Sequence, residues 1–75
     1  MSDHWRTTLN NWLQGRHGTA KDLTWEATRS GLPHALRWTV VAYIKGVEYG
    51  RSTSGTKGAA AEEAARQAVV ILENE

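Results

Sequence analysis

LRWTVVAYIKGVEYGR, residues 36–51, is the stretch on which the fold turns. From Leu36 to Ile44 the side chains alternate: Trp38, Val40, Ala42 and Ile44 fall on one face, and Arg37, Thr39, Val41 and Tyr43 on the other, the period of two that marks a strand. Lys45-Gly46 reads as a two-residue hairpin turn with glycine in the second place, so Val47 to Arg51 returns as an adjacent antiparallel strand. A lone hairpin is marginal in water, so the flanking segments must cover its apolar face.

Upstream, Leu23 to Thr28 has the β-branched and aromatic content of a further strand, joined to the hairpin by a loop over Arg29 to Ala35. Before it, Trp5, Leu9, Trp12 and Leu13 recur at i, i+4, i+7 and i+8 as the apolar stripe of a helix, with Ser2 or Asp3 as its cap and an end near Gly15 to Gly18. Downstream, the Gly/Ser/Thr-rich stretch Gly50 to Gly58 reads as a tight connection that leads into an alanine-rich helix, Ala59 to Leu72, capped by Thr56. Such a junction turns free backbone N–H groups and a lysine toward an anion. In this helix Ala60, Ala64, Ala68 and Ile71 or Leu72 form a small-residue stripe that lets it lie close on a sheet. The predicted order is α-β-β-β-α. It makes an α+β domain over residues 1–75, with two helices packed on one face of a three-stranded antiparallel sheet.

Composition narrows the function classes. Nine Lys+Arg against eight Asp+Glu leave a net charge of +1, so any nucleic-acid partner must be met by local clustering rather than a global field. The absence of cysteine removes disulfide frameworks and thiolate zinc sites, and points to an intracellular setting, cytoplasmic or nuclear. No apolar run reaches the roughly 20 residues a membrane span needs. The four tryptophans, in a chain with no phenylalanine, read as core aromatics. His4, His17 and His34 lack metal-ligand spacing, and no nucleophile has a base beside it, so neither a cofactor nor catalysis is expected. Gly50 to Lys57 superficially looks like a nucleotide-binding loop. That loop needs lysine directly after its second glycine and the hydroxyl residue next, whereas here Thr56 precedes Lys57.

Four segments in succession resemble the double-stranded RNA-binding domain family. Leu9-Asn10-Asn11-Trp12 is similar to the family's Leu-Asn-Glu-Tyr turn, and Ser30-Gly31-Leu32-Pro33-His34 to its Gly-Pro-x-His loop. Trp38-Thr39-Val40 through Gly46-Val47-Glu48-Tyr49 follows its central hairpin, and Gly55-Thr56-Lys57 resembles the start of its Gly-Ser-Lys-Lys-x-Ala-Lys signature. The resemblance implies the fold derived above and a duplex RNA partner, read by shape over about 16 bp without sequence specificity.

The resemblance also assigns contacts. His4, Thr8 and Asn11 on the first helix would meet one minor groove; Gly31, Pro33 and His34 would meet the next; Thr56 and Lys57 would hold the phosphates between. The first two have a plainer reading: a solvated helix face for the first set, and a histidine packed in its turn for the second. The proline stands one residue later than in the family. Only one of its three lysines is present, because Gly58 and Ala61 occupy the other two positions, so weakened binding is expected, with Glu62 and Glu63 adding repulsion. The alternative function is a protein-protein module, a homodimer or a pairing with another such domain, presenting Val41 and Tyr43 on the open sheet face and Val70 on the outer side of the last helix.

Overall fold

A computed structural model describes residues 4–75. The elements run α1 (Trp5–His17), β1 (Leu23–Ser30), a short 3-10 turn (Pro33–Ala35), β2 (Arg37–Ile44), β3 (Val47–Ser54) and α2 (Lys57–Glu73). The strands form one antiparallel sheet in the order β1-β2-β3, as expected from local pairing. Lys45 and Gly46 both take positive φ, 53° and 79°, the geometry of the two-residue turn that matches strand twist. The residues expected to cap α1, Ser2 and Asp3, lie outside the described residues; the helix ends on Gly18 in the left-handed conformation, φ 74°.

α2 begins at Lys57, two residues before the expected Ala59, and two strand boundaries differ from the sequence expectation because strand pairing outruns local propensity. Arg29 and Ser30, expected in a loop, pair with Trp38 and Arg37 and extend β1. The returning strand, expected to end at Arg51, continues through Ser52 to Ser54, opposite Val40 through Trp38, and leaves only Gly55 and Thr56 between strand and helix. An irregularity between Ala42 and Tyr43 puts Gly50 opposite the first and Glu48 opposite the second, leaving Tyr49 as the extra residue of a bulge.

Gly50 is buried because α2 lies directly on it. A β-carbon there would run into the Ala64 carbonyl, whose carbon would be 2.9 Å away. The alanine stripe makes this approach workable: Ala60, Ala64, Ala65 and Ala68 are all fully buried, and the stripe closes on Leu72 (5% exposed) rather than Ile71 (44%). The main core joins Leu9 and Leu13 of α1, Ile44 of β2 and Ala65, Ala68, Val69 and Leu72 of α2; a smaller one holds Val40, Ala60 and Ala61 under Trp38.

The tryptophans are not core residues in the sense expected. Trp5, Trp12 and Trp38 are half-buried at the margins of the two clusters, and Trp25 is 38% exposed. The reason lies in the sheet: α2 covers β2 and β3, so the helix-side residues of β1, Trp25, Ala27 and Arg29, line an uncovered margin. Rings of this size reach across such margins and keep one edge wet. Among the described residues, no helix is long and apolar enough to cross a membrane.

Candidate nucleic-acid interface

Strand register fixes where two of the three predicted contact regions stand. Arg29 pairs with Trp38, and Trp38 with Ser54, so β1 ends, β2 begins and β3 ends at one end of the sheet. The Gly31 to Leu36 connection and the start of α2 therefore emerge side by side.

In the connection, Gly31 has φ 97°, and a β-carbon there would sit 2.5 Å from the Ala35 carbonyl oxygen; glycine is needed for both reasons. Pro33 opens the 3-10 turn, where its missing N–H costs nothing, and the Ala35 N–H donates to the Leu32 carbonyl at 2.8 Å. The late proline is thus accommodated as the first residue of a turn that holds His34 exposed.

At the start of α2, the Thr56 hydroxyl accepts from the Ala59 N–H at 3.1 Å, as its cap position requires. Lys57 follows and is exposed, its Nζ 5.8 Å from the centre of the Trp38 ring. Gly58 has open space where a side chain would stand, whereas Ala61 is only 6% exposed and packs with Val40 and Ala60. The two missing lysine positions are therefore unequal.

The third region lies on α1. His4, Thr8 and Asn11, spaced i, i+4 and i+7, share a helix flank beside the buried stripe of Leu9 and Leu13, and all three are exposed. The side chains of Thr8 and Asn11 make no hydrogen bond to other described residues, which leaves hydroxyl and amide groups for an external partner.

The sequence reading missed what ties this helix to the rest. Glu62 of α2 accepts a hydrogen bond from the Trp5 backbone N–H at 2.6 Å and pairs with the Arg6 guanidinium, so one carboxylate caps α1 from a different helix. Partial burial pushes its pKa up, but the bonds from Arg6 and Trp5 hold it below the ordinary carboxylate value. Glu63 is likewise engaged, by Arg66 and Gln67, and its pKa falls to about 2 through the Arg66 hydrogen bond first and the Gln67 bond second. The expectation of two bare repelling carboxylates is corrected on this point: each is neutralised by its own arginine. No spacing rule relates Glu62 to Trp5, 57 residues away, so only the tertiary fold reveals the cap.

The open face of the sheet corrects the predicted docking surface. Val41 is 2% exposed, enclosed by its cross-strand neighbours Glu26 and Arg51 and by Thr39 and Tyr43 on the same face. Tyr43 is half-buried; its hydroxyl donates to Glu26 at 3.3 Å, and desolvation followed by the Glu26 charge raises its pKa. Arg51 is held by both oxygens of Glu48, at 3.2 and 3.0 Å. This face is a polar lattice over one buried valine. Val70 is 43% exposed on the outer side of α2, where it was expected, with Ile71 beside it at 44%.

Comparison with known proteins adds two findings. A family model described as the double-stranded RNA binding motif matches residues 5–72, from the first residue of α1 to the last buried residue of α2. The chain is also 38% identical over 68 residues to Ribonuclease 3 of Corynebacterium efficiens, an alignment that spans 91% of this chain and 27% of that protein.

Proposed function

This chain belongs to the double-stranded RNA binding motif family, and from that membership we propose that it grips duplex RNA at three places on one side of the domain. Thr8 and Asn11, with His4, meet one minor groove; Gly31, Pro33 and His34 meet the next; Lys57 and the N–H groups beside Thr56 hold phosphates between them. The observation that carries this reading is the common end of the sheet from which the Gly31–Leu36 connection and α2 both emerge. The Glu62 cap supports it, because it draws the N-terminal turn of α1 to the first turns of α2.

The matching family is a binding motif, and the chain spans about a quarter (27%) of the ribonuclease it resembles. We infer that this stretch supplies duplex recognition, with any cleavage residing elsewhere in a larger protein. The protein-interaction alternative gains nothing from the sheet face, where Val41 is enclosed.

Backbone and side-chain NMR shifts on adding a duplex of about 16 bp test the pose. The expected changes centre on Thr8, Asn11, Gly31 to His34 and Thr56 to Ala59. Changes centred instead on Tyr43, Arg51 and Glu48 would mean that the open sheet face carries the RNA.

A further inference from the structure

We propose that Arg29 is a second phosphate-binding residue, set beside Lys57 by their shared contact with Trp38, and that it compensates for the lysines absent at Gly58 and Ala61. This rests on the reading of the domain as a duplex-RNA binder. Arg29 is the penultimate residue of β1 and pairs with Trp38 across the strands, on the sheet face that the helices occupy. Its guanidinium carbon lies 5.9 Å from the centre of the Trp38 ring, and the Lys57 ammonium lies 5.8 Å from the same centre. Trp38 is half-buried against Val40, Ala60 and Ala61, so packing fixes the ring and both cations are held to one small region.

Among the described residues, neither cation is neutralised. The ion pairs among the described residues engage Arg6 with Glu62, Arg51 with Glu48 and Arg66 with Glu63, and leave Arg29 and Lys57 out. Two exposed like charges beside one ring make a local positive patch, and an external anion is attracted to it. Arg29 also borders a cleft with Gly31, Pro33 and Leu36, so it stands between the connection and the start of α2, the two regions that face the duplex at this end. Its planar fork suits phosphate oxygens, and its charge is permanent.

Salt-dependent titration of a fluorescent duplex RNA against Arg29→Gln, Arg29→Lys, Lys57→Gln and Arg51→Gln tests this, with thermal melts to establish that each variant is folded. Arg29→Gln is expected to lower affinity by about tenfold, the lower end of what one charge-assisted contact is worth, and to flatten the log-affinity versus log-salt slope by about 0.7 to 0.9. Arg29→Lys should keep the slope, and Arg51→Gln, on the opposite face, should change neither quantity. A folded Arg29→Gln with wild-type affinity and slope, beside a weakened Lys57→Gln, would overturn the role of Arg29 while leaving duplex binding standing. A wild-type domain that binds no duplex RNA at low salt would overturn both.

Discussion

At the residue scale, duplex binding depends on what stands at the start of α2. Lys57 keeps the charge expected of the family, and its Nζ is steadied over Trp38. Lys57→Ala should weaken duplex binding equally for unrelated sequences and reduce the salt slope by about 0.7 to 0.9, as measured by titration at several salt concentrations. The two absent lysines then make contrasting predictions. Gly58 lies in the first turn of α2 with open space around it, so Gly58→Lys should raise affinity while changing stability by less than about 1 kcal/mol, its gain in helix propensity being offset by a positive charge at the helix N-terminus, read in paired binding and denaturation experiments. Ala61 is buried with Val40 and Ala60, so Ala61→Lys must carry its stem out through packed groups and should cost stability by about 1–3 kcal/mol. Equal tolerance of lysine at both positions would contradict the packing described for α2.

At the scale of elements, two contacts hold the helices where the interface needs them. Gly50 lets α2 rest on β3, and because the obstruction to a β-carbon is backbone, Gly50→Ala should destabilise by about 3 kcal/mol or more in chemical denaturation. Glu62 caps α1 from across the domain, and Glu62→Gln should cost about 1–2 kcal/mol at neutral pH. The sign of its pH dependence follows from a folded-state pKa held below the unfolded 4.5: the stabilisation is complete above that value and disappears as pH falls through the folded one. Wild type and Glu62→Gln should therefore differ most near neutrality and converge in acid. A constant gap across pH would mean that the carboxylate charge is not what matters. The strands, the turn at Lys45-Gly46 and the Thr56 cap were legible because each is a local signal of period, turn chemistry or hydroxyl position. The full lengths of β1 and β3 were not, since Arg29, Ser30 and Ser52 to Ser54 are extended by a partner strand rather than by their own propensity.

At the scale of the whole molecule, a chain of net charge +1 carries its function by arrangement rather than by field. The described ion pairs neutralise three arginines away from the shared end of the sheet or beside it, while Lys57 and Arg29 keep their charges there. The connection, Lys57 and the α1 flank were named as contacts by the family resemblance, whose motifs are legible along the chain. Arg29 and Glu62 escaped it, because their roles come from cross-strand and interhelical neighbours that no sequence spacing encodes. Val41 was misassigned for a related reason: alternation gives the face of a strand, not whether neighbouring side chains close over it. What the arrangement serves is recognition of duplex RNA by shape. Its most direct test is titration of a fluorescent RNA duplex of about 20 bp at low and moderate salt, with a DNA duplex of the same sequence alongside and the mass followed by light scattering. Saturable, salt-sensitive binding to the RNA, weaker or absent for the DNA, is the predicted result. Equal binding to both duplexes, or none to RNA at low salt, would contradict it.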